Sequence, residues 1–381
     1  MWLLIFIFGT ATILLGWTLF GYFIYMFILG LFNRKNTPVI PDILPSISII
    51  IPCFNEENSI VNKINNLKSL DYPKNKLEIL FVDGNSNDKT IELLETYNEF
   101  IIHKCPVNGK INQLNYILPK IYSNIVLITD VDGLLKPNTL KWIAAEFNSN
   151  PDASVVGAYC YPINTLEIEH YYWSAQNRGR FLETYAKTSS IVVAQCYAFK
   201  NGLLTSFPDD VIADDIYTAF LANTLNKKTI YSYHAIAYET RTPKLYSEFI
   251  PHKFRKSNAF LRESLRFLYR LPEMNIYFKL ILATKIAQQL LLPLGFLIWI
   301  ILSGVLLTLY RYDIVIIGAA ILFFLFVITS RIFASIILPD GIHKYSLLTI
   351  IKGYIMTNII VLATGLCYPF YNQNSNYKRL R

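Results

Sequence analysis

Charge is scarce in this 381-residue chain: Asp, Glu, Lys and Arg make up 16% of it, and residues 1 to 32 carry no charged side chain at all. A disordered chain has the opposite composition, poor in apolar residues and rich in charge, so disorder is excluded as the overall state. The sequence contains no G-x-x-x-x-G-K-[ST] and no G-x-G-x-x-G, which removes both common glycine-rich phosphate cradles. Its five cysteines (Cys53, Cys105, Cys160, Cys196 and Cys367) include no C-x-x-C pair, so reduced, packed thiols are expected rather than a zinc ribbon or a redox pair. The amino terminus lacks the basic n-region and small-residue cleavage site of a signal peptide.

What the chain has instead is apolar surface: 53% hydrophobic and 15% aromatic residues. The stretch from Trp2 to Phe32 exceeds the roughly 20 residues a spanning helix needs. Arg34 and Lys35 follow it directly, so the positive-inside rule places residue 33 onward in the cytoplasm and predicts a multi-pass protein of the plasma membrane. Three further apolar stretches, Gln289 to Tyr310, Ile314 to Ser330 and Leu347 to Phe370, give two or three C-terminal spans. Simple alternation leaves the tail outside, whereas Lys378, Arg379 and Arg381 argue for the inside. Lys352, Gly353, Gly365 and Pro369 are compatible with a broken or re-entrant last segment.

The net charge of +8 is unevenly spread. Residues 33 to 250 carry 20 basic and 23 acidic groups, whereas the excess of positive charge gathers at 251–275 (six against two) and 276–381 (nine against two). A nucleic-acid binder carries its positive charge on the domain that does the reading, so no nucleic-acid partner is expected. The expected organisation is a transmembrane helix (1–32), a cytosolic catalytic domain (33–250), basic interfacial helices (251–288), C-terminal transmembrane helices (289–370) and a basic tail (371–381), with membrane lipids as partners of the apolar parts.

Within the polar section, Ser46 to Pro52 and Leu77 to Asp83 are short β-branched runs separated by a helical pattern from Glu57 to Leu70. This predicts a βαβ unit with buried parallel strands. A third run, Asn124 to Thr129, ends in Asp130-Val131-Asp132. Polar residues at the carboxyl ends of successive strands mark where open α/β sheets bind ligands. A D-x-D on a surface loop is ordinarily a solvated turn. At the end of a buried strand its two carboxylates converge and repel unless a cation lies between them. With only oxygen donors on offer, Mg²⁺ or Mn²⁺ is the expected ion. A diphosphate would be held by that metal and by a side chain such as Lys110, which otherwise reads as a solvated helix start. Asp214 and Asp215 open the helical pattern Ile216 to Leu225. One acid there suits the helix dipole, and the second is left over as a general base for an acceptor hydroxyl.

Taken in order, these motifs resemble the family 2 glycosyltransferases, over roughly residues 46 to 260. SIIIPCFNEENSI is similar to the family's first strand and P-x-[YF]-N-E turn, through Pro52, Phe54, Asn55 and Glu56. FVDGNSNDKT resembles its V-D-[DG]-x-S-x-D-x-T segment, through Asp83, Ser86, Asp88 and Thr90, with Gly84 where many members carry a second Asp. GKINQLN matches at Gly109, Lys110, Leu114 and Asn115, TDVD supplies the D-x-D, and Asp214-Asp215 stands at the family's E-D. The resemblance implies an α/β fold of the GT-A type with a mainly parallel sheet. It further implies donor-binding roles for Pro52, Phe54, Glu56, Asp83, Lys110 and Asp130, a metal at Asp132 and a catalytic base at Asp215. The Q-x-x-R-W of processive members is matched at Arg255 alone; Asp214, Lys253 and Arg255 are the further residues expected near the diphosphate or the acceptor. With Arg262, Arg266 and Arg270, Lys253 and Arg255 read equally as a basic helix on anionic lipid.

The activity implied is inverting transfer of a sugar from a nucleotide-diphospho-sugar, UDP-linked by preference, to a glycan or lipid-linked acceptor. The competing reading is a catalytically degenerate sugar-nucleotide-binding protein or transporter. Nucleotidyl transfer is disfavoured because IPCFNEEN carries no glycine- and arginine-rich phosphate loop. The aromatic stretch Glu167 to Tyr185, with Tyr171, Tyr172, Trp173 and Phe181, is read as core packing ahead of sugar stacking.

Overall fold

The computed structural model describes residues 1–33 and 37–371. Arg34 and Lys35, and the basic tail with Lys378, Arg379 and Arg381, lie outside the described residues.

Among the described residues, eight strands form one sheet: β1 (Ile47–Cys53), β2 (Leu77–Asp83), β3 (Ile101–Lys104), β4 (Ile125–Ile128), β5 (Gly133–Leu135), β6 (Ala153–Pro162), β7 (Tyr197–Lys200) and β8 (Lys228–Glu239). Their order is β3-β2-β1-β4-β7-β6-β8-β5. The half that the hydrophobic runs predict is parallel: β1 lies between β2 and β4, and β2 pairs with β3. Beyond β4 the sheet is mixed, with β7 antiparallel to both β4 and β6, β6 parallel to β8, and β5 antiparallel to β8. The chain builds β2 and β3 on one side of β1 and then crosses to β4 on the other. That reversal is a topological switch point, the place at the carboxyl ends of the strands where open α/β sheets bind ligands.

The register brings the motif residues level with one another. Cys53 is opposite Asp83 in the β1–β2 ladder, while β4 pairs with β1 only as far as Ile50 opposite Ile128. Pro52 therefore falls beyond the end of β4, where its missing N–H breaks no ladder bond on that side. The continuous β-branched run of β1 is buried from Ile47 to Ile51 because helices cover both faces.

Among the described residues, three helices are long and apolar enough to cross a membrane: Trp2–Phe32, Tyr312–Ser335 and Leu347–Cys367. Ile276–Leu290 and Leu292–Thr308 form a fourth element of this kind, bent by 56° at their junction. The break in the C-terminal region thus lies at Leu291, inside the stretch that the sequence reads as starting at Gln289, and the last helix is continuous. Pro293 accounts for the break, since it has no N–H to donate to the Gln289 carbonyl one turn back and its ring crowds that carbonyl. Gly353 has a different use from breaking a helix: a Cβ there would lie 3.0 Å from Tyr171 Cδ1 and 3.6 Å from Ile168 Cγ1, so glycine lets this helix approach the helix Glu167–Ala186 closely.

The sheet domain and the apolar helices are joined through Glu183, which is almost fully buried. Its Oε1 accepts from Tyr22 Oη (2.7 Å) and pairs with Lys285 Nζ (2.9 Å), while Oε2 accepts from the backbone N and Oγ of Ser190. One domain carboxylate thereby holds the N-terminal helix and the helix Ile276–Leu290 together.

Candidate active site

At the carboxyl ends of β1 and β2 the two sequence motifs are stitched to one another. Asp83 Oδ2 accepts from the backbone N of Asn85 (2.9 Å) and Ser86 (3.0 Å), and its Oδ1 accepts from Ser86 Oγ. Ser86 Oγ in turn accepts from Asn55 N, and Asn55 Oδ1 accepts from Asn87 N. Asn55 and Asn85 take left-handed backbone conformations, φ 53° and 69°, which asparagine tolerates better than other non-glycine residues. Thr90 Oγ1 accepts from Glu56 N (2.7 Å) and donates to Asp88 Oδ1, and Asp88 Oδ2 accepts from Glu57 N. The serine, aspartate and threonine of the second motif are therefore the scaffold of the first.

Gly84 also has a local cause. Gln113 Nε2 donates to the carbonyls of Cys53 (2.7 Å) and Val82 (2.6 Å), and a Cβ at position 84 would come within 2.9 Å of that nitrogen. Glu56 is 5% exposed and forms a two-point ion pair with Arg241. Phe54 is half-buried on the same turn.

On the other side of the switch point, Lys110 Nζ sits between Asp130 Oδ1 (2.7 Å) and Asp214 Oδ1 (3.0 Å). Lys110 starts the helix Lys110–Ile117, Asp130 follows β4, and Asp214 starts the helix Asp214–Thr224, so three separate elements converge here. Burial works against the charge on Lys110, but Asp130 and Asp214 outweigh it and hold the ammonium's proton more tightly than usual. Asp214 is buried, and its Oδ2 accepts from Tyr197 Oη at 2.6 Å. Asp214 is thus committed to structure. Asp215 faces the site half-buried, its carboxyl pushed up to about 7 by burial and by the charge of Asp214.

Asp132 is pushed up to about 6 by burial and by Asp130, with Glu239 and Glu56 adding to the effect and Arg241 opposing it. A carboxylate whose neighbours raise its proton affinity is a place where a cation is favourable, and the donors in reach are all oxygens, which suits Mg²⁺ or Mn²⁺. The loop that carries the pair is held from below by Lys63, which is fully buried and donates to Thr129 Oγ1 (2.7 Å) and Gly133 O (2.5 Å). Burial lowers Lys63 to about 8. Thr240 holds the loop from the other side, donating its backbone N and Oγ1 to Asp132 O.

Lys63 and Arg241 carry no signal in the sequence. Lys63 reads as one cation on an amphipathic helix, and Arg241 lies outside every motif. Their partners are 66 to 185 residues away in the chain, a separation no local pattern reports.

The downstream cations are largely accounted for by acids of the domain. On the helix Tyr246–Arg266, Lys253 is 5% exposed and pairs with the fully buried Glu169 at 2.8 Å. Lys256 pairs with Glu239, and Arg266 with Glu263 and Asp210. Arg255 is half-buried on the same helix. Trp173 and Phe181 are core residues, in keeping with the aromatic spacing, while Tyr171 and Tyr172 are half-buried. All five cysteines are reduced thiols; four are buried and Cys367 is exposed.

Residues 48–266 match the family model described as glycosyl transferase family 2. Among curated proteins, the poly(ribitol-phosphate) beta-N-acetylglucosaminyltransferase TarS of Staphylococcus aureus (strain MW2) is 31% identical over 109 residues, which are 26% of this chain and 18% of TarS. The beta-monoglucosyldiacylglycerol synthase of Trichormus variabilis is 31% identical over 111 residues, 27% of this chain and 24% of that protein. The matched part thus spans less than a third of the length of these relatives. The mannosyltransferase PcManGT from Pyrobaculum calidifontis, solved in complex with GDP-Man and Mn²⁺, superimposes with a TM-score of 0.71 at 21% identity, covering 96% of this chain and 99% of PcManGT. That likeness establishes the GT-A-type fold together with its apolar helices.

Proposed function

The chain belongs to glycosyl transferase family 2, and we propose that it is an inverting, metal-dependent enzyme of the membrane, moving a sugar from a nucleotide-diphospho-sugar to a hydroxyl or phosphate acceptor on a growing glycan or lipid carrier. The observation that carries this reading is the convergence of Lys110, Asp130 and Asp214 at the β1/β4 switch point, with Asp132 and Asp215 both within the electrostatic reach of Asp130.

In this reading the turn built from Pro52, Phe54 and Glu56 and the loop shaped by Asp83 receive the nucleoside, and Asp130 lies on the ribose side. Lys110 exchanges a carboxylate partner for a phosphate oxygen of the diphosphate. Asp132 would hold the metal, which when bound supplies positive charge to the departing diphosphate. Asp215 takes the proton of the acceptor hydroxyl as that oxygen bonds to the anomeric carbon and the bond from the carbon to the diphosphate oxygen breaks. A single displacement of this kind inverts the anomeric centre. With Asp214 engaged by Tyr197 and Lys110, Asp215 is the acid of the pair left to act as base, and a pKa near neutrality suits that task.

The sequence favours a UDP-linked donor, whereas PcManGT holds GDP-Man, so the base of the nucleotide is the first thing to measure. Arg34 and Lys35 support a cytoplasmic position for the catalytic domain, and the apolar helices support lipid as its surroundings. The test is release of nucleotide diphosphate by the full chain in detergent with Mn²⁺, from UDP-GlcNAc, other UDP-sugars and GDP-Man, with and without a lipid-phosphate acceptor. Acceptor-dependent release from one donor class is expected. Binding of a donor without turnover under any of these conditions would overturn the catalytic reading.

A further inference from the structure

Away from the aspartate-rich edge, the loop between Tyr312–Ser335 and Leu347–Cys367 folds back onto the domain helix Glu167–Ala186 and brings His170, Asp340 and His343 together. One ligand atom from each lies within 4.8 Å of the others. Asp340 Oδ2 is 3.0 Å from His343 Nε2 and 3.5 Å from His170 Nε2. Ligands on a tetrahedral ion with bonds of about 2.0–2.2 Å are spaced about 3.3 Å apart, so Asp340 Oδ2 already stands at coordination spacing from both imidazoles.

The surroundings are arranged as the outer ligands of a metal usually are. His170 Nδ1 is 2.7 Å from Tyr345 Oη, which is itself 2.6 Å from Ser174 Oγ. A proton on Nδ1 given to the phenol oxygen turns the lone pair of Nε2 toward Asp340. Asp340 has a side chain only 4% exposed, and its other oxygen accepts from Tyr159 Oη at 2.6 Å, which fixes the plane of the carboxylate. The turn Leu338 to Gly341, closed by Gly341 N to Leu338 O and by a φ of +96° at Gly341, presents Asp340 and His343 on one side. His170 and His343 line a cavity of about 380 Å³, which leaves room for a water as fourth ligand.

We propose that His170, Asp340 and His343 bind a divalent transition-metal ion, Zn²⁺ by donor set and spacing, and that the ion clasps the loop between the two apolar helices to the catalytic domain. Two imidazoles and one carboxylate select against Mg²⁺ and Mn²⁺, the ions that the oxygen-only site at Asp132 favours, so the two sites take different metals.

The test uses the full chain in detergent with excess Mg²⁺, titrated with Zn²⁺ against a chromogenic chelator, together with X-ray absorption of the zinc-loaded wild type. One Zn²⁺ per chain with an imidazole-containing ligand shell is expected. His170→Ala and His343→Ala each weaken binding by about 100-fold or more, and Tyr345→Phe, which keeps all three ligands, weakens it by about 10-fold. No uptake by the wild type, or a zinc shell of oxygen alone, overturns the site even if the variants fail to fold. Unchanged affinity in a folded His343→Ala protein overturns it equally, leaving an aspartate hydrogen-bonded to two histidines.

Discussion

Asp214 and Asp215 are adjacent in the chain and differ in what surrounds them. Asp214 accepts from Tyr197 and pairs with Lys110, whereas Asp215 is raised to about 7 by burial beside it. In the proposed mechanism the carboxylate form of Asp215 acts as the base, and its population grows as pH rises through that value. In the proposed mechanism, acceptor-dependent kcat/KM therefore falls toward tenfold per unit below about pH 7, and Asp215→Asn abolishes transfer while the melting temperature is kept. Wild-type-like transfer by Asp215→Asn would remove it from the mechanism. Lys63 is the other residue whose role depends on its partners. Lys63→Met leaves the Gly133 carbonyl without its donor, at a cost of about 1–3 kcal/mol in thermal unfolding, together with loosened metal dependence from the adjoining Asp132.

At the scale of elements, glycine and proline act through what lies beside them. Gly353 sits in an apolar helix where glycine reads as a breaker, yet that helix runs unbroken, because the residue is needed for contact with Tyr171. Gly304 lies in a comparable helix where an added Cβ would meet nothing within 4 Å. Gly353→Leu is expected to destabilise by about 1–3 kcal/mol through overpacking, and Gly304→Ala to be neutral, in thermal unfolding of the purified proteins in detergent. Equal effects at the two positions would mean that helix propensity, not packing, governs both. The strands show the same division. β1, β2 and β4 are legible as continuous apolar runs because both faces are buried, and the acids that follow these runs in the chain mark the site. β6, β7 and β8 mix parallel and antiparallel pairing among distant segments, and no local period encodes which strand becomes the neighbour.

Across the whole molecule, one buried carboxylate ties the domain to two of the apolar helices at once. Glu183 meets Tyr22 and Lys285, and removing it strands the Lys285 ammonium in a dry setting. Glu183→Ala is expected to cost about 3–5 kcal/mol, and the further change Lys285→Met to restore part of that loss, measured as a double-mutant cycle in chemical denaturation. Strict additivity of the two changes would show that the pair does not couple domain to helices.

The sequence by itself determined the family, the parallel half of the sheet, the apolar helices and the order of acids at the strand ends. Each of these is written in local periodicity or in motifs a few residues long. Only the tertiary structure decided which carboxylate of a pair is bound by Tyr197 and Lys110, that Lys63 and Arg241 hold the acidic strand ends, where the C-terminal helices break, and that two histidines and an aspartate meet beyond them. The physical reason is that ion pairs, burial and hydrogen-bond partners are properties of what lies across space, and at these positions the partner comes from a segment tens to hundreds of residues away.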